Sequence, residues 1–344
     1  MIRQLGRFAS FALLAASTST IVAVAQQQGA DTPTQVPAAP QQTQGAASSQ
    51  APAAPAQAAE APKFPAPDPR NFTASSPTKE QIDGFLKASW GYDENRVWQI
   101  AAILKTQVDG VSKVIVYVGD KSGKEKPGAF SFFALPDGKH IIAGEDVYPF
   151  GEHPYADNRS RLQADADGPY RGAADKTLEL VEFADFQCPH CKEAQANMEK
   201  LATDFPKARI VFQNYPLERI HPQAKIAAEF AVCVTKLGGS SAFFTFADAT
   251  FEGQEGLSTA DGAQLTLNSA VTKAGLDPAK VEACAKTPAT QDAVDKSVKL
   301  AQDLNVNQTP VLMINGRQVP VGGVPYDTLK KIVEYQAKLD GIKQ

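Results

Sequence analysis

The run Leu178-Glu179-Leu180-Val181-Glu182-Phe183 is nearly continuous in apolar character and leads straight into Asp185-Phe186-Gln187-Cys188-Pro189-His190-Cys191. A strand of that composition fits a sheet covered on both faces. A helical pattern follows to about 205, so the two cysteines sit where a buried strand turns into a helix. A thiol at a helix N-terminus meets free N–H groups and the positive end of the dipole, which favour its thiolate. The three-residue offset puts both sulfurs on one helical face, close enough to bond. His190 adds a positive charge beside the first sulfur. Half a zinc site and a purely structural bridge are the competing readings. A zinc site calls for a second close pair, and the remaining cysteines, Cys233 and Cys284, are isolated, so no metal is expected.

The elements around this pair predict an α/β domain. A second strand is expected over 209–215, and helical segments fill 222–304, with Pro222, Pro278 and Pro288 placed at helix starts. Strands over 311–314 and 318–321 flank Asn315-Gly316, a tight-turn dipeptide, and an amphipathic helix closes the chain over 325–339.

The preceding residues are of a different kind. Residues 1–25 carry Arg3 and Arg7, then an apolar stretch from Phe8, then Ala23-Val24-Ala25, the pattern of a signal peptide cleaved after Ala25. An uncleaved anchor helix is the other reading of that stretch. Export places the cysteines in an oxidising compartment, the periplasm. Residues 26–75 are mostly Ala, Pro and Gln and are expected to form a disordered tether, unable to offset their ordering entropy. Residues 76–150 predict a small α+β unit: a helix opened by Ser76-Pro77 with Ile82, Phe85 and Leu86 on one stripe, strands over 97–104 and 113–118, and a hairpin of 129–135 with 140–143. This unit holds no cysteine and no catalytic constellation. Residues 151–175 read as a connector. The net charge of −4, from 34 basic and 38 acidic residues, excludes a strongly basic nucleic-acid binder.

The segment from Phe183 to Cys191 resembles the active-site segment of DsbA-type thiol:disulfide oxidoreductases, down to the Pro-His dipeptide between the cysteines. Thr309-Pro310, just before the strand over 311–314, is similar to the cis-proline loop of the thioredoxin fold. The helical stretch, about 219–304, is similar to the helical insertion of DsbA. The resemblance covers 176–344 and implies a thioredoxin fold with a helical insertion. Gln308 stands where many relatives have Gly. Residues 76–150 loosely resemble the N-terminal dimerisation domain of DsbC- and DsbG-type isomerases, chiefly over 130–147.

From the resemblance come the site assignments. Cys188 is expected as the exposed nucleophile and Cys191 as its buried partner, with Pro189 and His190 tuning the pair. Glu182 falls where the family carries a buried acid under the site, whereas Glu179 is expected at a surface edge. Thr309 and Pro310 are expected to hold substrate backbone. Cys233 and Cys284 could be two buried free thiols; export and some DsbA relatives favour a structural disulfide. His221, before Pro222, is expected as a loop or capping residue. The implied activity is disulfide formation in exported proteins without a cofactor. The expected partners are reduced or misoxidised exported proteins and a membrane redox partner of the DsbB/VKOR or DsbD type, with a homodimer as a further expectation. A dimeric isomerase or reductase, and a non-catalytic chaperone on the same scaffold, remain as alternatives.

Overall fold

The computed structural model describes residues 64–123 and 126–343. The signal-peptide reading and the tether reading of 26–63 lie outside the described residues. The tether was expected to reach residue 75, but 64–75 are packed: the Phe64 ring stacks on Tyr117 at 6.4 Å and Gln99 Nε2 donates to the Pro65 carbonyl at 2.6 Å.

The N-terminal part is one helix on a five-stranded antiparallel meander. Helix α1 (Lys79–Trp90) precedes β1 (Arg96–Lys105), β2 (Ser112–Asp120), β3 (Gly128–Ala134), β4 (His140–Ala143) and β5 (Asp146–Pro149), which pair in sequence order. The expected stripe holds: Ile82, Phe85 and Leu86 bury against Ile103, Val114, Val116, Phe132 and Ile141. The helix start differs from expectation. Thr78 is the N-cap, accepting from the Gln81 N–H while the Gln81 side chain accepts from the Thr78 N–H. That reciprocal pair satisfies two orphan donors, and the Ser76–Pro77 peptide before it is cis. Strand β5 was not foreseen.

The second sheet has the order β10-β9-β7-β8-β6. It is built from β6 (Tyr170–Gly172), β7 (Glu179–Ala184), β8 (Arg209–Asn214), β9 (Val311–Ile314) and β10 (Arg317–Pro320). Strands β7 and β8 are parallel, and every other pair is antiparallel. The expected connector at 151–175 instead contributes structure, namely α2 (Ala156–Asp165) and the edge strand β6. Helices α3 (Pro189–Asp204) and α8 (Tyr326–Leu339) cover one face through Met198, Leu201, Leu329 and Val333 over Leu180, Ile210, Leu312 and Ile314. Helices α2 and α7 (Pro288–Asp303) cover the other through Leu162 and Leu300 over Val181, Phe183, Val211, Val311 and Met313. Double coverage buries Glu179 as well, contrary to its expected surface position. It is 2% exposed, with Arg209 Nε 3.4 Å from its carboxylate.

Between β9 and β10 the turn uses Asn315 and Gly316 at φ 44° and 88°, the left-handed pair that a two-residue hairpin needs. A Cβ at Gly316 would stand 2.3 Å from the Tyr155 carbonyl oxygen, so glycine is also demanded by the approach of α2. The buried Arg317 that follows donates to the Ala88 and Ser89 carbonyls at the C-terminal end of α1, joining the two parts at a helix pole that favours a cation.

Helices α4 (Ala224–Glu252), α5 (Ala260–Lys273) and α6 (Pro278–Ala285) form the insertion, with α7 leading back to β9. Pro278 and Pro288 stand at N1 as expected, whereas Pro222 precedes the N-cap Gln223 of α4. Helix α4 breaks its dihedrals at Gly239, φ 75°. It is long and apolar enough to cross a membrane, yet Phe230, Val234, Phe243, Phe246 and Phe251 are buried in the core of the insertion. Cys233 on α4 and Cys284 on α6 are joined by a disulfide.

Candidate active site

Phe186 fixes the loop between β7 and α3. Its ring lies 5.2 Å from Phe212, 5.8 Å from Phe246 and 5.1 Å from Phe251, centroid to centroid. An aromatic buried on all sides anchors its backbone, so the two residues that lead to Cys188 cannot wander. Gln254 adds a polar anchor, its Nε2 donating to the carbonyls of Phe186 at 2.8 Å and Cys188 at 2.9 Å.

Cys188 is the N-cap of α3 and Pro189 its first residue, where a missing N–H costs nothing. The Cys188 carbonyl accepts from the N–H of Cys191 at 3.1 Å, closing the first turn and setting the two thiols on one side. Cys188 Sγ lies 3.7 Å from the carbonyl oxygen of Thr309, and the Thr309–Pro310 peptide is cis. The loop expected to hold substrate therefore stands against the first sulfur. Cys188 was expected to be exposed, but it is 5% exposed and Cys191 is fully buried. Packing against the insertion core on one side and the Thr309 loop on the other accounts for the difference.

The two sulfurs are electrostatically opposed. The Cys191 S–H donates to Cys188 and lowers the Cys188 pKa to about 5, helped by Thr309 and by the backbone N–H groups of Cys191 and His190. The Thr309 hydroxyl is buried and, among the described residues, has no hydrogen-bond partner. Burial pushes the Cys191 thiol strongly upward, reinforced by the charge on Cys188. One thiolate shared between two sulfurs is thus held on the outer one. The His190 ring is exposed and pairs with Glu193, Nδ1 to Oε2 3.1 Å, which raises its pKa together with the Cys188 charge.

A folded-state pKa below the unfolded value gives stability that is full above the unfolded pKa and is lost as pH falls through the folded one. For Cys188 the window runs from about 9 down to about 5. At pH 7 the contribution to the reduced protein is about 2 kcal/mol after allowance for solvent screening. The stability of the reduced parent over a reduced Cys188→Ser variant should therefore grow by about 2 kcal/mol between pH 5 and pH 7 in urea unfolding. A difference independent of pH would contradict the assignment.

Glu182 is buried beneath the pair, 3% exposed, and its Oε1 accepts from Gln195 Nε2 at 2.9 Å. Burial raises its pKa to about 7, against the smaller opposing pull of Gln195 and Arg171. Here the sign is reversed: stability is present below the unfolded pKa near 4.5 and lost as pH rises through about 7. Glu182→Gln should match the parent at pH 4 and exceed it by about 2–3 kcal/mol at pH 8. An equal or lower stability at pH 8 would contradict a desolvated acid at this position.

Two residues that the sequence does not mark as part of the site join it: Asp185, and His221, expected as a loop or capping residue. Asp185 is 2% exposed; its Oδ1 accepts from the Gln187 N–H at 2.8 Å, and its Oδ2 accepts from the Leu217 N–H at 2.8 Å and from His221 Nδ1 at 2.8 Å. His221 is thus a partner of the cysteine loop and not merely a loop residue. Nothing local marks the contact, because the partners are 36 residues apart.

Residues 165–335 match the family model described as thioredoxin. The Na(+)/H(+) antiporter NhaA 3 of Salinispora tropica is 31% identical over 148 residues, covering 43% of this chain and 22% of the relative. The Na(+)/H(+) antiporter NhaA 1 of Salinispora arenicola is 32% identical over 156 residues, again 22% of its length. The chain thus spans less than a quarter of these curated relatives. Among solved structures, a thioredoxin-like oxidoreductase from Silicibacter pomeroyi is 25% identical, covering 52% of this chain and 98% of that one, with a TM-score of 0.44. The thiol-disulfide exchange protein alpha-DsbA2 from Wolbachia pipientis is 24% identical, covering 52% and 94%, also at 0.44.

Proposed function

We propose that this chain is an exported thiol:disulfide oxidoreductase that introduces disulfides into periplasmic proteins through Cys188 and Cys191. The observation that carries the reading is the asymmetric placing of the pair: Cys188 caps α3 with its Sγ against the Thr309 loop, which lowers its pKa, while Cys191 is fully buried behind it, which raises its own. A stable Cys188 thiolate favours the reduced protein, so the oxidised form gives its disulfide away. A substrate thiolate attacks Cys188 Sγ; the new S–S bond forms as the Cys188–Cys191 bond breaks, and the electron pair goes to Cys191. Glu182, half protonated near neutral pH, supplies the proton that Cys191 takes up. A second substrate thiolate then attacks the substrate sulfur of the mixed disulfide, leaving a substrate disulfide and reduced Cys188. Pro310 and Thr309 hold the substrate backbone beside the sulfurs. Reoxidation falls to a membrane partner carrying a disulfide or quinone.

Oxidative refolding of a reduced multi-cysteine protein, together with thiol trapping of Cys188 in cells, tests the direction. Catalysed refolding and a mostly oxidised pair are expected. A mostly reduced pair in cells would assign the chain to isomerisation or reduction instead. A homodimer through residues 76–150 belongs to that isomerase reading, in line with the exposed Phe133, Val147 and Tyr148 on β3 and β5. Light scattering of the full chain separates one copy of 36.7 kDa from two.

A further inference from the structure

In the exchange reaction Cys191 must carry negative charge for a moment, although the site is arranged to keep that charge off it. Burial, the Cys188 charge and Glu182 all oppose a Cys191 thiolate. One group works the other way. The backbone N–H of Asp185 points at Cys191 Sγ, 3.4 Å away, and is the group that favours its ionised form. That N–H belongs to a residue whose carboxylate is held on both sides. Gln187 N–H occupies Oδ1, while Leu217 N–H and His221 Nδ1 occupy Oδ2. The carboxylate is fully buried and the His221 side chain is 16% exposed. Gln187 in turn accepts from the Gln223 N–H at 2.7 Å, so the start of α4 is tied to the same loop.

We propose that Asp185 and His221 form a clamp that positions the Asp185 N–H to stabilise Cys191 as it leaves and as it attacks. The inference rests on the exchange chemistry proposed above and deepens it. Neither residue touches the substrate; both are positioning residues. When Cys191 resolves a mixed disulfide on Cys188, its thiolate electron pair forms the Sγ–Sγ bond and the substrate sulfur departs as a thiolate. In the reverse direction the Cys188–Cys191 bond breaks and the pair returns to Cys191. Both directions pass through partial negative charge on Cys191 Sγ, opposite the Asp185 N–H. A hydrogen bond to a charged acceptor is shorter and roughly twice as strong as one to a neutral acceptor, so a clamped donor acts mainly on the charged species in transit. Without the clamp the loop is free to turn the N–H aside, and rates in both directions fall together while the equilibrium between dithiol and disulfide stays where it was.

The step is isolated with glutathione disulfide as the probe. Reduced protein is mixed with it, quenched with acid, and the glutathionylated and fully oxidised forms are followed by mass spectrometry. In parallel, iodoacetamide alkylation reports on the Cys188 thiolate alone. For His221→Ala we expect the intermediate to accumulate and its resolution to slow about tenfold, corresponding to a loss of about 1.4 kcal/mol. Cys188 alkylation and the glutathione equilibrium should stay at parent values. His221→Gln, whose amide can donate to Asp185 Oδ2, should recover most of the rate. Asp185→Asn, nearly isosteric, keeps the fold but sets an amide against donors and should slow resolution like His221→Ala. Resolution at the parent rate in a folded Asp185→Asn or His221→Ala variant would overturn the clamp. So would an equal slowing of alkylation and resolution, which would point to general loosening of the site. If the parent protein itself neither forms nor resolves the glutathione adduct, the failure lies with the proposed function.

Discussion

Cys188→Ser is expected to remove thiol–disulfide exchange down to the uncatalysed background. Serine keeps the volume and the helix-capping position but cannot form the mixed disulfide. Cys191 cannot take over, since it is fully buried and its thiol is pushed far above neutrality. A buried thiol in that state offers neither access nor thiolate. Insulin reduction and refolding of a reduced multi-cysteine substrate measure the loss. Refolding assistance at the parent level from the serine variant would place the chain among chaperones that use the scaffold without its chemistry.

The largest expected effect on stability comes from Cys233 and Cys284. Their disulfide closes a loop with a sequence separation of 51 and joins α4 to α6 across the core of the insertion. In the chain-entropy picture such a closure stabilises by about 4 kcal/mol. The paired Cys233→Ala and Cys284→Ala replacement should lower the melting temperature by roughly 10 °C for a domain of this size. Thr290 Oγ1, 3.4 Å from Cys233 Sγ and 3.7 Å from Cys284 Sγ, closes over the bridge. Because a stabilised Cys188 thiolate makes its pair the more readily reduced, mild reductant should open Cys188–Cys191 in the oxidised protein first. A shift below about 2 °C would mean that the insertion is held by its aromatic core alone.

Much of this was legible wherever a short-range pattern carries its own cause. The apolar run before Cys188 identified β7, the run over 311–314 gave β9 residue for residue, and Asn315-Gly316 marked the turn after it. The capping box of α1 was equally readable, because Thr78 and Gln81 have the required spacing; the Ser-Pro pair two residues earlier drew the assignment away. Helix α2 gave no signal because it is polar almost all round and buries only Leu162. Strands β5 and β6 span four and three residues, too short for alternation to show. Glu179 was misplaced because a charge at a strand end reads as an edge, and only the helices on both faces exclude water from it. At the site, the cysteines, Glu182 and the Thr309–Pro310 loop could be named from local motifs. The Asp185–His221 contact could not, since it exists only once the segment from 215 to 223 folds back over the cysteine loop.

The most direct test of the exchange chemistry uses Cys191→Ser. Reduced variant and reduced parent are each incubated with glutathione disulfide at pH 7 and their masses compared after acid quenching. The account predicts one glutathione on the variant, located at Cys188 and persistent because nothing resolves it. The parent should pass through the same adduct and end with Cys188 and Cys191 joined and no glutathione attached. A variant that acquires no adduct at Cys188, or a parent that keeps its adduct as long as the variant does, would contradict the roles given to the two cysteines.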